Sequence, residues 1–276
     1  MVTYYVKRAF EILREDGFTE FINRIIEFYD SKEMIPRDKR ASALTYKNKI
    51  KNELLYDAPA RPYKTIKVKA RNISFLITNH SKLPISKVHY GGLSQIRDGN
   101  WPEDNDFMHF DDYPVKISFE KRFLNNQPWS TTLYYKYLVQ ENEGTKEEVI
   151  NKFEVSKKER TAEEAMNRLN NLESIYQSIL KNGYLPNHSG PNKKGEYGYR
   201  DEFEPLVIID DMGEIYVWDG RHRFCIAQIL DLEIPVHVVC RHKEWQQLRD
   251  DIHNHGLSEE HEGLRNHPDL QDVIED

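Results

Sequence analysis

The most regular hydrophobic pattern in this chain lies between residues 215 and 239. Apolar residues first alternate as in a short strand, and an Asp219-Gly220 turn follows. Apolar positions then recur at helical spacing, and after an Ile234-Pro235 pair they alternate again. The pattern therefore predicts a strand, a tight turn, a helix and a second strand.

Other stretches of the chain show either helical or strand periodicity. Residues 4–15 and 18–29 have helical spacing, and the lysine-rich residues 36–56 are of helical character, with a solvated face as the expected role. Two prolines within residues 57–62 favour an extended linker, which places a boundary near residue 60. Alternation within residues 66–77 predicts two half-buried strands beyond it.

The helix predicted over residues 18–29 has a continuous apolar face and a polar face with at least as many acids as bases. Two interpretations of this face stay open. It belongs either to a helical hairpin that packs on the body of the protein or to an interfacial helix, which would contact a membrane peripherally through residues 4–29.

Two further segments are interpreted as insertions. Residues of about 105–165 are aromatic and mostly helical by pattern, and they form either core or the wall of a site for a bulky acceptor. Residues of about 187–204 form a polar loop, either mobile or closing over a ligand. The aromatic residues in the first segment are Phe119, Phe123, Trp129, Tyr134, Tyr135 and Tyr137.

Composition limits the classes of function. A net charge of −7 argues against the whole chain binding nucleic acid electrostatically, so DNA contact would need a local basic patch. Cys225 and Cys240 have no metal-ligand spacing, which indicates a reducing compartment and buried thiols. No signal peptide or membrane-spanning apolar run is visible, so we expect a cytoplasmic protein, with membrane association left open.

Residues 246–276 are acidic and contain four histidines. The His253-x-His255 pair suggests metal binding, but no set of four ligands has a recognisable spacing, so no metal site is predicted. The sequence instead predicts a solvated, partly disordered tail.

Candidate chemistry lies at the start of the helix predicted after Gly220. A glycine turn delivers Arg221, His222 and Arg223, together with backbone N–H groups, to the helix N-terminus, where the helix dipole also favours an anion. Phosphate is the predicted ligand. Asp219 is expected either to cap the helix or to fix the turn and help to place Mg²⁺.

The order D-G-x-H-R, apolar helix, I-P-V resembles the ParB/sulfiredoxin superfamily, in which a G-x-H-R turn holds nucleotide phosphates. The matching residues are Gly220, His222 and Arg223, and an upstream helix that ends at Gly183 fits the same order. The resemblance covers about residues 168–243, apart from the loop insertion. It implies an α+β fold, with a small mixed sheet and packed helices over residues 61–245, an N-terminal helical segment over 1–60 and the aromatic insertion.

The resemblance also implies a function. CTP, ATP or ADP with Mg²⁺ would bind at the turn, and the protein would be a kinase-type phosphotransferase or a nucleotide hydrolase, with His222 and Arg223 as catalytic residues. Kinases of the superfamily use an early acidic residue as general base; Asp98 fits this order, and Glu103 and Asp104 compete with it. The loop from Arg97 to Trp101 would then be a second wall of the site, unless it is a surface loop with Trp101 as a hydrophobic plug.

The layout is similar to archaeal ParB-domain proteins associated with surface-glycan gene sets, which suggests a sugar, a polyol or a polyprenol lipid as acceptor. Sulfiredoxin chemistry is disfavoured, because Arg221 occupies the position of its cysteine. The alternative is a nucleotide-switched ParB-like module that binds DNA or a partner without catalysis. The net charge argues against DNA, and so does the expected lack of a helix-turn-helix after Trp245.

Overall fold

The computed structural model describes residues 37–78, 92–104, 106–139, 161–186 and 203–274, with side chains from residue 42. These residues form an α+β fold around a mixed sheet of seven strands. The helices predicted over residues 4–15 and 18–29 and nearly all of the polar loop at 187–204 lie outside the described residues. The α+β class predicted from the sequence is confirmed.

The sheet combines parallel and antiparallel neighbours. Its order is β1-β7-β5-β6-β2-β4, and β3 pairs with the second half of β7. The strands are β1 (Thr65–Lys69), β2 (Phe75–Ile77), β3 (Gln95–Arg97), β4 (Phe107–His109), β5 (Leu206–Ile209), β6 (Ile215–Asp219) and β7 (Glu233–His242).

Most of the helices pack against one face of the sheet. They are α1 (Arg37–Leu55), α2 (Pro114–Phe123), α3 (Leu133–Leu138), α4 (Ala162–Asn182), α5 (Arg221–Ile229), α6 (Lys243–His255) and α7 (Gln271–Ile274). None of the helices in the described ranges has the length and apolar character needed to cross a membrane.

The strand, turn, helix and strand predicted for residues 215–239 are confirmed as β6, α5 and β7. The apolar side of α5 is buried because Phe224, Cys225 and Ile226 face the main core. In the sheet, β5 lies between β6 and β7, so the connection from β6 through α5 to β7 passes over one strand.

The aromatic segment forms core on the same face of the sheet as α5. Phe119, Trp129 and Tyr134 are each at most 3% exposed, and they pack with α4 and α5 in one cluster. The interpretation of these aromatics as core is therefore confirmed. Residues 107–109, near the start of the predicted insertion, form β4, which pairs with β2 at the edge of the sheet.

Helix α1 confirms the helical prediction for residues 37–55. It packs against residues 93 and 94, which follow the predicted linker in the chain. Asn48 and Asn52 donate hydrogen bonds to the carbonyl oxygens of Leu93 (2.9 Å) and Ser94 (2.8 Å). Thr45 accepts the N–H of Leu93 at 3.0 Å. These polar contacts attach the helix to the segment that leads into β3.

The prediction of a solvated tail after residue 245 is wrong for residues 246–274. Helix α6 buries Trp245 and Arg249, and Asp269 is 1% exposed beneath it. Asp269 pairs with the guanidinium groups of Arg241 and Arg249. The acidic composition of this segment suggested exposure to solvent. In the fold, its buried charged groups are instead paired with one another.

Candidate phosphate-binding site

The turn between β6 and α5 has the geometry that its glycine predicts. Gly220 is the N-cap of α5, with φ 79° and ψ 20° in the left-handed region. The carboxylate of Asp219 accepts the Gly220 N–H at 2.7 Å. Asp219 therefore helps to fix the turn.

Arg221 joins the turn to the end of β2. Its guanidinium donates to the carbonyl oxygen of Ile77 at 2.7 Å and also hydrogen-bonds the buried hydroxyl of Tyr113. Strand β2 runs parallel to β6, so both strands end at the same edge of the sheet. The guanidinium of Arg221 is consequently held at that edge.

Arg223 lies on the other side of the helix start. Its guanidinium donates to the carbonyl oxygen of Phe203 at 3.0 Å and to the Tyr184 hydroxyl at 3.5 Å, and it lies 3.8 Å from Glu204. The Tyr184 hydroxyl in turn donates to Glu204, which is 5% exposed, at 2.7 Å. A buried carboxylate therefore positions this guanidinium.

His222 is held by the aromatic helices. Its Nε2 lies 2.8 Å from the Tyr134 hydroxyl, and its ring stacks on Phe119 with centroids 6.0 Å apart. Arg168, from α4, donates from Nε to the same tyrosine hydroxyl at 3.2 Å. The aromatic segment thus contributes to the site through His222.

The electrostatics of the site centre on His222. Burial and, to a lesser extent, the positive charges of Arg168, Arg221 and Arg223 together lower its pKa to about 3. The imidazole is therefore neutral near pH 7. The same three guanidinium groups and the N-terminus of α5 make the surroundings of His222 positive, which the carboxylates of Asp219 and Glu204 offset in part.

Arg97 and Asp98 lie at the other end of the sheet. Arg97 pairs with His242, whereas Asp219 pairs with Leu206, which pairs with His237. Through these pairings, Arg97 lies beside His242 of β7 and Asp219 lies at the level of His237 of β7. The two positions are five residues apart along β7, which corresponds to about 16 Å. The expected second wall from Arg97 to Trp101 therefore does not face the turn.

The side chains of that loop have other partners. Asp98 is exposed, and its hydrogen bond with Lys243, of 2.8 Å, lowers its pKa. Arg97 donates to Gln95. Trp101 is 3% exposed and packs on the second face of the sheet, which confirms its interpretation as a hydrophobic plug.

Among residues 103, 104 and 106, Asp106 is linked to the site through its backbone. Its carbonyl oxygen accepts the N–H of Thr78 at 2.8 Å, and the same peptide group presents the Ile77 oxygen to Arg221. The Asp106 oxygen thus lies within about 8 Å of that guanidinium nitrogen. Its carboxylate accepts the Glu103 N–H, and Asp106 is 2% exposed.

No family model, curated protein or solved structure matches this chain. The resemblance to the ParB/sulfiredoxin superfamily consequently rests on the order of residues quoted above. It stays a prediction.

Sequence reasoning missed Arg168, Tyr134, Tyr184 and Glu204. Tyr134 and His222 are 88 positions apart, and Tyr134 and Arg168 are 34 apart, so no local spacing joins them. A weak signal existed for Arg168, which directly precedes the buried Leu169 on α4 and is thus near the packed side of that helix.

Two further features limit the chemistry that the described residues support. Within the described ranges, no group of three or more His, Cys, Asp and Glu side chains could hold a metal ion. Cys225 and Cys240 are buried free cysteines, as the sequence predicts. Burial raises the pKa of the Cys225 thiol and raises that of Cys240 to about 12, so both remain protonated.

Proposed function

We propose that the start of α5 binds the phosphates of a nucleotide and that the protein is a kinase-type phosphotransferase or a nucleotide hydrolase. One observation carries the proposal: the positive charges of Arg168, Arg221 and Arg223 all act on His222, the second residue of helix α5. Guanidinium forks and backbone N–H groups together are the donors that phosphates bind best in proteins.

The donor set fits phosphate better than it fits a carboxylate. Phosphate groups of a nucleotide carry several charges, and three guanidinium groups from α4 and α5 could approach them from different sides. In phosphoryl transfer, such groups neutralise charge on the transferred group, whereas Mg²⁺ enters with the nucleotide phosphates. CTP, ATP and ADP are the nucleotides to test.

The carboxylates near the site are Asp219 and Glu204. Asp98 is no part of this proposal, because it pairs with Lys243 at the other end of the sheet. A sugar, a polyol or a polyprenol lipid remains the proposed acceptor class. The aromatic helices give no special support to a lipid, since Phe119 and Tyr134 are buried in the core.

Calorimetry with CTP, ATP and ADP in the presence of Mg²⁺ tests the proposal. We expect at least one nucleotide to bind and Arg223→Ala to weaken it about tenfold or more, because charge-assisted hydrogen bonds contribute about 1.5–3 kcal/mol. Arg122→Ala is the matched control: Arg122 is 24% exposed and ion-paired with Glu173, as Arg223, at 22%, is with Glu204.

Folding must be measured alongside, because Arg223→Ala leaves the buried Glu204 without this partner. The melting temperature of each variant without nucleotide separates lost stability from lost binding. If no nucleotide binds, or if Arg223→Ala binds as tightly as the wild type, the phosphate-binding proposal is wrong.

Turnover distinguishes the enzyme from a switch. Labelled nucleotide incubated with candidate acceptors should yield a phosphorylated acceptor or, for a hydrolase, inorganic phosphate. Tight binding without either product would identify a nucleotide-switched module, and salt-sensitive binding to duplex DNA would extend that module to DNA.

A further inference from the structure

We propose that Tyr134 and Arg168 are positioning residues that hold His222 as the neutral tautomer with its proton on Nδ1, so that Nδ1–H donates a hydrogen bond to a phosphate oxygen of the ligand. This inference rests on the proposed function for the identity of the ligand. The tautomer itself follows from hydrogen-bond geometry in the absence of ligand.

Arginine determines the direction of the hydrogen bonds. The Nε of Arg168 can only donate, so the Tyr134 oxygen accepts at 3.2 Å. The hydroxyl hydrogen of Tyr134, which is 3% exposed, then needs an acceptor, and the ring nitrogen 2.8 Å away is Nε2 of His222. Nε2 therefore carries no hydrogen, and a neutral imidazole must carry its proton on Nδ1.

The second ring nitrogen is available to a ligand. Within the described part of the chain, Nδ1 of His222 forms no hydrogen bond, and it is not among the buried atoms that lack one. His222 occupies the second position of α5, between Arg221 and Arg223. An anion bound at this helix start would lie beside the ring, so Nδ1–H is placed as one of its donors.

The surroundings of the ring oppose a second proton. The charged and titratable groups that face it are Arg168 from α4, Tyr134 from α3, and Arg221 and Arg223 from its own helix. Helix α2 faces it with the uncharged ring of Phe119. Three positive charges, with no carboxylate among the described residues that perturbs the ring, keep the imidazole neutral, consistent with a pKa lowered to about 3.

A neutral donor has a consequence for ligand binding. An imidazolium would lose its charge as the pH rises through its pKa, and the ligand affinity would fall. A neutral Nδ1–H does not change between pH 6 and pH 8, so the contribution of His222 to affinity should be constant there. The ratio of wild-type affinity to that of a variant cancels the titration of the ligand itself.

Nitrogen NMR of the full chain with ¹⁵N-labelled histidine tests the tautomer without any ligand. The protein has 11 histidines, and His222→Gln assigns the His222 signal by its disappearance. We expect the wild type to show the Nδ1–H tautomer at pH 7 and to stay neutral down to pH 5. Tyr134→Phe should mix the two tautomers, and Arg168→Gln should reproduce part of that change.

Tyr135→Phe is the matched control, since Tyr135 lies next to Tyr134 on α3 and has no hydrogen bond with His222. It should leave the His222 signal unchanged. An Nε2–H tautomer or an imidazolium in the wild type at pH 7 would overturn the inference, and so would an unchanged tautomer in Tyr134→Phe.

Calorimetry with inorganic pyrophosphate supplies the binding arm. Tyr134→Phe should bind about five- to tenfold more weakly than the wild type between pH 6 and pH 8, which corresponds to one misplaced hydrogen bond. Tyr135→Phe should bind normally. If wild-type protein shows the Nδ1–H tautomer but binds neither pyrophosphate nor nucleotide, the proposed function fails along with the ligand role of His222, while the positioning of the ring by Tyr134 and Arg168 stands.

Discussion

Gly220 shows how a single residue serves both the fold and the site. Its left-handed backbone lets β6 pass directly into α5, and a Cβ at this position would lie 2.8 Å from the Cα of Pro205. Only glycine avoids both the backbone strain and this contact. The three side chains that follow are consequently delivered at one edge of the sheet.

Replacing Gly220 by alanine should destabilise the protein by at least about 2 kcal/mol. The left-handed conformation costs a side chain about 1–2 kcal/mol, and overpacking against Pro205 adds about 1–3 kcal/mol. Urea unfolding measures the change.

Gly263→Ala is the control, because a Cβ there meets nothing within 4 Å. It should change the free energy of unfolding by no more than about 0.5 kcal/mol. Equal costs for the two substitutions would show that the turn at Gly220 does not have this packing.

At the scale of elements, the C-terminal helices are held by a buried ion cluster. Arg241 and Arg249 both pair with Asp269, and Trp245 donates its indole N–H to the same carboxylate at 2.9 Å. These positive charges keep the pKa of Asp269 low despite its burial. The cluster joins β7, α6 and the segment before α7.

Asp269→Asn should therefore cost about 3–5 kcal/mol in the free energy of unfolding, because it leaves two buried guanidinium groups without this charge. Glu262→Gln provides the comparison. Its pair with Arg265 is 54% exposed on both sides, so the loss of stability should be much smaller than that of Asp269→Asn.

Acid should reproduce part of the effect. The folded-state pKa of Asp269 lies below its unfolded value, so the stabilisation is present above the unfolded pKa and disappears as the pH falls through the folded one. A wild-type protein that loses no more stability from pH 5 to pH 3 than the Asp269→Asn variant would contradict this role.

At the scale of the whole molecule, the sheet has a separate hydrophobic cluster on each face, and the candidate site and the C-terminal ion cluster lie at opposite ends of its strands. Helices α2 to α5 cover one face, and the segment around Trp101 covers the other. The candidate site lies where β2 and β6 end, and the C-terminal cluster lies where β7 ends. The two can therefore be changed independently.

Ending the chain at residue 256 should unfold or strongly destabilise the protein, since it removes Asp269, Leu270 and Val273 from the core. Tryptophan fluorescence should shift to longer wavelength as Trp245 is exposed. A chain that ends at Ile274 is the control and should unfold like the wild type. An unchanged urea midpoint for the shorter chain would restore the interpretation of residues 246–276 as a tail.

The sequence by itself determined the local parts of this protein. The unit from β6 to β7, helix α1 and the strand character of residues 66–77 follow from periodicity and turn residues, which act between near neighbours. The three basic residues after Gly220 are adjacent for the same reason. Their common position at a helix start needed no tertiary information.

Only the tertiary structure decided which distant groups join them. It brought Arg168, Tyr134 and Glu204 to the turn and carried Asp98 to the other end of the sheet. It also folded residues 246–274 into the core. Strand order and the pairing of buried charges depend on the free energy of the whole fold, which no spacing along the chain encodes.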